Sequence, residues 1–121
     1  METIINLMIS LFLIWFLFQR FIPARGVVQI ETSELKELLK NKDHQFVDVR
    51  TPLEFNTNHI QGFRNIPLAH MKKRHHELLK DRMVIVICQS GARSNKATRV
   101  LKKLGFTQIT NVKGGMASWR L

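Results

Sequence analysis

The chain has 121 residues, of which 45% are hydrophobic and 23% charged, a composition typical of one globular domain rather than a disordered or low-complexity chain. Lys and Arg number 19 against 9 Asp and Glu, so the net charge is +10 at pH 7. Such an excess suits an anionic membrane surface, a polyanion or a small anionic substrate. We expect no nucleic-acid partner, because no binding motif accompanies the charge. Cys88 is the only cysteine, which excludes a disulfide within one molecule.

The first predicted element is a long apolar helix. Within residues 4–18 only Asn6 and Ser10 are polar. Extended over residues 3–22, the segment has the ~20 residues that a helix needs to cross a bilayer. Pro23 would end it, because proline disrupts a helix interior. The pattern predicts a helix that anchors the chain in a membrane through residues 3–22.

The flanking charges predict the orientation of this helix. Arg20 and Arg25 follow the apolar run, whereas the N-terminus has no basic side chain. By the positive-inside tendency we expect a single-pass protein of the cell membrane whose larger part is cytoplasmic. A cleaved signal peptide or a buried helix is the alternative, although no convincing small-x-small cleavage site follows the apolar run. We therefore divide the chain into residues 1–26, an anchor helix with a short linker, and residues 27–121, one folded domain.

Strands and helices alternate through the first half of this domain. The predicted elements are a strand at 27–30, a helix capped by Thr32 or Ser33 and running to Lys40, a strand at 46–49, a turn or short helix from Thr51 to Phe55, and a strand at 65–67. The helix before residue 40 has Leu35, Leu38 and Leu39 on one face. Pro52 suits the first position of the short helix that follows Thr51.

The alternation continues through the second half. The predicted elements are a helix from about Ala69 to Leu79, a strand at 83–87, a helix from Arg93 or Ser94 to Leu104, a strand at 107–112, and a short helical piece that begins at Gly114-Gly115 and holds Trp119. Residues 83–87 are all apolar, as expected for a strand covered on both faces. The order of elements predicts the α/β class, with a central parallel sheet flanked by helices on both faces.

The loop Cys88-Gln89-Ser90-Gly91-Ala92-Arg93 joins the buried strand to the next helix. Ligands of open α/β sheets bind beyond the carboxyl ends of the strands, and the first N–H groups of a helix have no acceptor within it. Gly91 permits a tight curve that turns N–H groups inward, and Arg93 adds positive charge. Because such donors stabilise a sulfur anion, we predict that Cys88 is a nucleophile rather than an inert buried cysteine.

Short motifs are spread over nearly all of residues 27–121. They are Asp48-Val49-Arg50, Glu54-Phe55, His59-Ile60-Gln61-Gly62, Asn65-Ile66-Pro67, the loop from Cys88 to Ser94, and Gly114-Gly115-Met116 with Trp119. Asp-Val-Arg alone would be a weak signal, but the motifs in this order and spacing resemble the single-domain form of the rhodanese family of sulfurtransferases. The resemblance implies a rhodanese-like sheet and a sulfur-transferring enzyme.

The resemblance also implies a mechanism. Cys88 would take a sulfane sulfur from a donor such as thiosulfate or a persulfide, become a persulfide, and pass the sulfur to a thiol or other nucleophile. The residues implied to bind sulfur or its donor are Gln89, Ser90, Gly91, Ala92, Arg93 and Ser94, together with Arg50. No organic cofactor and no metal are implied. The spacing of His70, His75 and His76, without a carboxylate or thiol cluster, also gives no metal site.

Two other functions stay open. Some phosphatases share this fold, but their loops place five residues between cysteine and arginine, whereas four lie between Cys88 and Arg93. The shorter ring removes one N–H donor, which favours a sulfur atom over a phosphate group. The other alternative is a catalytically silent binding module, which the presence of both Cys88 and Arg93 disfavours.

Asp48, Arg50 and Glu54 are predicted to support the loop. A buried Asp48 needs hydrogen-bond donors, which the loop N–H groups or Arg50 would supply. Arg50 and Glu54 are four residues apart, a spacing that allows an ion pair across a helical turn. Arg50 could instead face the pocket and attract an anionic donor.

Overall fold

The computed structural model of the chain describes residues 1–120, in which one isolated helix precedes an alternating α/β unit. The elements are α1 (Glu2–Gln19), β1 (Val28–Ile30), α2 (Thr32–Leu38), β2 (Gln45–Asp48), α3 (Pro52–Thr57), β3 (Arg64–Asn65), α4 (Met71–Arg74), β4 (Val84–Ile87), α5 (Ala92–Lys103) and β5 (Ile109–Val112). Single-turn 3-10 helices lie at Leu68–His70, His75–Glu77 and Gly115–Ser118.

All five strands form one parallel sheet in the order β1-β5-β4-β2-β3. The α/β class and the parallel sheet predicted from the sequence are confirmed. Because the chain crosses over between parallel strands, every strand ends at the same edge of the sheet. The loops that follow β2 and β4 therefore meet there, and these two strands are direct neighbours.

The core lies on both faces of the sheet, as β4 demonstrates. All four residues of β4 are buried, which confirms the prediction of a doubly covered strand. Val84 and Val86 point to the cluster that includes Leu101 of α5, whereas Ile85 and Ile87 point to the cluster that includes Leu35 of α2. Side chains alternate along a strand, so the next residue, Cys88, points to the α5 face.

Two predicted elements differ from the structure. The helix expected from about Ala69 to Leu79 is reduced to α4 between two 3-10 turns, because the backbone tightens at His70 (φ −104°, ψ 0°) and again at Arg74 (φ −105°, ψ 4°). The cap of α2 is Glu31 rather than Thr32 or Ser33, since Glu31 and Glu34 form a reciprocal capping box. The Thr32 hydroxyl instead donates to the Ser118 carbonyl at 3.0 Å.

Helix α1 contributes no residue to the core. By length and composition this helix could cross a membrane: its mean hydropathy is 1.7, and 0% of its residues are buried. The segment after it lies along α5, where Asn95 Nδ2 donates to the Ile22 carbonyl at 2.5 Å and to the Arg20 carbonyl at 3.2 Å. Lys102 donates to the Arg25 carbonyl. The linker is therefore bound to α5 rather than free in solution.

Candidate active site

Strand β4 delivers Cys88 to the edge where the parallel strands end. Its side chain is buried, with 1% of the residue exposed, beneath the exposed residues Gln89 and Ser90. The Gly91 N–H donates to Cys88 Sγ at 3.0 Å. The thiol in turn donates to Ser94 Oγ at 3.3 Å. The loop therefore closes around the sulfur atom and holds it with a backbone donor and a hydroxyl.

The curve of the loop depends on Gly91. Its φ of +107° lies in a region that L side chains rarely adopt, and it is the N-cap of α5. The Gly91 carbonyl accepts from the Asn95 N–H at 3.0 Å, so α5 begins directly after the loop. Among the hydrogen bonds of residues 1–120, none occupies the backbone N–H groups of Gln89, Ser90, Ala92, Arg93 and Ser94. Several donors at the positive end of α5 are thus available close to the sulfur.

The turn at Gly114-Gly115 holds the loop from the side. The Met116 N–H donates to the Cys88 carbonyl at 2.8 Å, and the Ala117 N–H donates to the Gln89 carbonyl at 2.9 Å. A Cβ on Gly115 would lie 2.3 Å from the Cys88 carbonyl oxygen, so only glycine permits this approach. The two backbone hydrogen bonds have no signal in the sequence.

Asp48 and Arg50 form a buried ion pair beneath the loop. Arg50 Nη2 lies 2.9 Å from Asp48 Oδ2, and the two side chains are 2% and 1% exposed. The same guanidinium donates to the Asn58 carbonyl at 2.7 Å and to Gln89 Oε1 at 3.4 Å. The predicted pairing of Arg50 with Glu54 is wrong, because Arg50 precedes α3 and bends back onto Asp48. Its guanidinium is occupied by these contacts rather than open to a ligand.

Glu54 pairs instead with Arg93 in the first turn of α5. The two guanidinium nitrogens of Arg93 lie 2.6 Å and 2.9 Å from the Glu54 carboxylate oxygens, and both side chains are 33% exposed. The hydrogen bonds from Arg93 lower the pKa of Glu54 from 4.5 to about 2, and Glu54 raises the pKa of Arg93 in return. Glu54 also accepts from the Thr51 N–H, which caps α3. One carboxylate thus joins α3 to the helix that carries the loop.

Comparison with known proteins gives one family. A model of the rhodanese-like domain matches residues 31–121. The chain belongs to the rhodanese family. A protein named Sulfurtransferase from Allochromatium vinosum is 34% identical over 94 residues, which cover 77% of this chain and 88% of that protein. Uncharacterized protein YqhL of Bacillus subtilis is 47% identical over 75 residues, or 62% of this chain, but the match spans only 60% of YqhL.

A solved rhodanese structure has the same fold. The crystal structure of a rhodanese-like domain protein from Staphylococcus aureus superimposes with a TM-score of 0.72 at 34% sequence identity. The alignment covers 78% of this chain and 92% of the Staphylococcus protein. The match supports a rhodanese fold for the parallel sheet and its flanking helices.

A small cavity lies beside the loop that carries Cys88. It has a volume of about 350 Å³, and Ser90, Gly91, Asn95 and Gly114 contribute to its wall. It provides space for a small molecule next to the residues that follow Cys88. Within residues 1–120, no group of three or more His, Cys, Asp or Glu side chains has the arrangement of a metal site.

The ion pair between Glu54 and Arg93 gives a pH-dependent prediction for the rhodanese domain. We expect Glu54→Gln to lower the free energy of unfolding by about 1 kcal/mol at neutral pH. This value is at the upper end of the stabilisation that partly exposed ion pairs provide. Because the pKa of Glu54 falls from 4.5 to about 2 on folding, this stabilisation is present above about pH 4.5 and is lost as the pH falls toward 2. Urea unfolding at several pH values measures the difference.

Glu37→Gln is the matched control, because Glu37 pairs with Lys40 in a bridge whose side chains are 75% and 74% exposed. That substitution should change stability by a few tenths of a kcal/mol at most. A stability difference for Glu54→Gln that stays constant down to pH about 2 would contradict the ionic contribution of the pair.

Proposed function

We propose that this rhodanese is a sulfurtransferase that carries a sulfane sulfur on Cys88. The supporting observation is the hydrogen bond of 3.0 Å from the Gly91 N–H to Cys88 Sγ, at the positive end of α5. A sulfur anion at this point is stabilised by backbone donors. The relative named Sulfurtransferase supports the same reaction class.

The proposed reaction has two displacements. The Cys88 thiolate attacks the outer sulfur of a donor such as thiosulfate or a low-molecular-weight persulfide. A new S–S bond forms as the donor's S–S bond breaks, and sulfite or a thiolate leaves with the bonding electrons. A thiol or other nucleophile then attacks the outer sulfur of the Cys88 persulfide and regenerates the thiolate. The sulfur atom is itself the transferred group, so the step requires no cofactor.

The loop would hold the outer sulfur of the persulfide. In this proposal the Gly91 N–H stays on Cys88 Sγ. The N–H groups that lack acceptors among residues 1–120 face the added sulfur, namely those of Gln89, Ser90, Ala92, Arg93 and Ser94. The Ser94 hydroxyl, which now donates to the Gly91 carbonyl at 3.1 Å, could turn to donate to the ionised Cys88. Arg50 acts as a positioning residue through Gln89 rather than by contacting the donor.

The same geometry weighs against a phosphatase. A phosphate ligand would need a free guanidinium near the loop, but both terminal nitrogens of Arg93 are hydrogen-bonded to Glu54. The loop also has four rather than five residues between Cys88 and Arg93. Sulfur transfer therefore accounts for the loop better than phosphate ester hydrolysis.

Intact-mass measurement tests this function. After incubation with thiosulfate or a small persulfide and removal of excess donor, the chain should gain the mass of one sulfur atom. Peptide mapping should locate the gain at Cys88, and a thiol reductant should remove it. A chain that gains no sulfur from either donor would be a silent binding module. A phosphoenzyme formed from a phosphate ester would indicate the phosphatase.

We further propose that α1 anchors the rhodanese domain in a membrane, with the domain on the cytoplasmic side of the cell membrane. The support is that the helix is exposed along its length and is apolar enough to cross a bilayer. The first basic residues, Arg20 and Arg25, follow the helix.

Fractionation of cells that produce the full chain checks the anchor. The chain should sediment with membranes and resist extraction by alkaline carbonate, whereas deletion of residues 1–24 should release it. A soluble full-length chain would contradict the anchor. A shorter mature chain that lacks α1 would identify the segment as a signal peptide.

A further inference from the structure

A cleft lies between the last turns of α1 and the outer face of α5. It has a volume of about 610 Å³. Its apolar lining, which we call the floor, includes Phe16 from α1, Val100 from α5 and Leu104, the residue that follows α5. Its rim carries the basic side chains of Arg20, Lys72, Lys96, Arg99 and Lys103. We call this feature the interfacial cleft, because it has both an apolar and a cationic part.

Most of the charge of the interfacial cleft is not neutralised within residues 1–120: Arg93 also lines the cleft and pairs with Glu54, but the five basic side chains of the rim do not pair with a carboxylate. The salt bridges of residues 1–120 involve Lys40, Arg50, Arg64, Arg74 and Arg93, so none of the five basic side chains named above has a carboxylate partner. Helix α5 contains five Lys or Arg residues and no Asp or Glu. Such a surface attracts external anions.

The position of the cleft relative to α1 indicates which anion. Phe16 and Arg20 stand at the end of the apolar helix, where a membrane-spanning segment would reach the headgroup region. The linker is fixed to α5 by hydrogen bonds from Asn95 and Arg99 to the Ile22 carbonyl, each 2.5 Å long. Helix α5 therefore stays next to the end of α1, and its basic residues would lie level with the lipid headgroups.

We propose that the interfacial cleft binds the headgroup of an anionic phospholipid. The phosphate would contact the basic rim, and the first methylene groups of the lipid would lie on the apolar floor. Anionic headgroups attract basic side chains close to a membrane surface, and long Lys and Arg stems can lie along apolar surface while their charges reach the phosphate. This inference rests on the proposed membrane anchor and is independent of sulfur transfer.

The experiment uses the full chain reconstituted in nanodiscs of phosphatidylcholine alone or of phosphatidylcholine and phosphatidylglycerol in equal parts. Native mass spectrometry after release from the disc counts the lipids that stay bound. The test variant is Lys72→Gln, Lys96→Gln, Lys103→Gln, which removes three exposed lysines of the cleft. The matched control is Lys40→Gln, Lys42→Gln, Arg82→Gln, which removes three exposed charges elsewhere. Both variants leave Cys88 and its loop unchanged.

The wild-type chain should retain phosphatidylglycerol in preference to phosphatidylcholine. The test variant should lose about tenfold or more of this preference, because each well-placed basic residue near an anionic membrane surface contributes about fivefold in affinity and the variant removes three. The control variant should keep it. Sulfur transfer in both variants should match that of the wild-type chain, which shows that they fold.

Four results would overturn the inference. Equal retention of the two lipids by the wild-type chain would show that the cleft does not select anionic lipid. An equal loss in both variants would assign the effect to net charge. Displacement of phosphatidylglycerol by glycerol phosphate at equal concentration would assign the cleft to a soluble phosphate ester. A chain that fails to enter phosphatidylcholine discs would refute the anchor and this inference together, but not sulfur transfer.

Discussion

Replacement of Cys88 by serine should abolish sulfur transfer from thiosulfate to cyanide, with a loss of at least about 10³-fold, the scale on which removal of a covalent nucleophile acts. A serine hydroxyl does not ionise at neutral pH and cannot form a persulfide, so neither displacement can occur. The rate of thiocyanate formation measures the effect. The same variant should gain no sulfur in the intact-mass experiment.

The fold of Cys88→Ser should persist, because a serine oxygen can accept the hydrogen bond that the Gly91 N–H donates at 3.0 Å. A thermal unfolding midpoint close to that of the wild-type chain would show this. Full transfer activity in a folded Cys88→Ser chain would refute the assignment of the nucleophile. Hydrolysis of a phosphate ester by the wild-type chain, lost in the variant, would instead support the phosphatase.

The local features of the loop could be predicted from sequence because short-range physics determines them. The apolar run that becomes β4 requires cover on both faces, and strand alternation then fixes the direction of Cys88. A glycine between a strand and a helix indicates a positive φ, and Gly91 has a φ of +107°. Ala97 and Leu101 are four residues apart, a spacing that places them on one face of α5, and both residues are fully buried.

Arg50 is expected from the sequence as a donor to a buried Asp48, and the two side chains do form an ion pair. The ion pair of Glu54 could not be predicted in the same way. The rule for charges four residues apart holds within one helix, but Arg50 lies before Thr51, the N-cap of α3, and so has no helical face to share with Glu54. The partner of Glu54 is Arg93, 39 residues later, and only the neighbouring positions of β2 and β4 in the sheet bring them together. Long-range pairs of this kind follow from topology rather than from sequence spacing.

The broken helix after β3 has a related cause. The sequence predicts one helix over residues 69–79, yet only Met71 and Leu78 of this stretch are buried. A continuous helix is stabilised mainly by an apolar face packed along its length, and this segment offers the core two widely spaced contacts. It therefore folds as α4 and two 3-10 turns, which hold Met71 in the core while the chain returns to β4.

The turn at residues 114–117 holds the loop that carries Cys88, and a substitution in this turn should have a second large effect on activity and stability. The backbone of residues 114–117 approaches the loop closely enough for Met116 and Ala117 to donate hydrogen bonds of 2.8 Å and 2.9 Å to it. A Cβ on Gly115 would lie 2.3 Å from the Cys88 carbonyl oxygen and 2.9 Å from the Gln89 carbonyl carbon. These atoms are backbone, so they cannot move aside without displacing the loop.

We therefore expect Gly115→Ala to lower the free energy of unfolding by about 2–4 kcal/mol, from the left-handed φ and the overpacking together. The rate of sulfur transfer should also fall, by more than the loss of stability accounts for, because the loop that carries Cys88 must shift. Gly62→Ala is the matched control: Gly62 also has a positive φ, +101°, but its Cβ would meet only Leu39 Cδ2, at 3.8 Å. Chemical denaturation and transfer kinetics of both variants give the comparison. Equal activity in Gly115→Ala and Gly62→Ala would show that the close approach of the turn does not position the loop that carries Cys88.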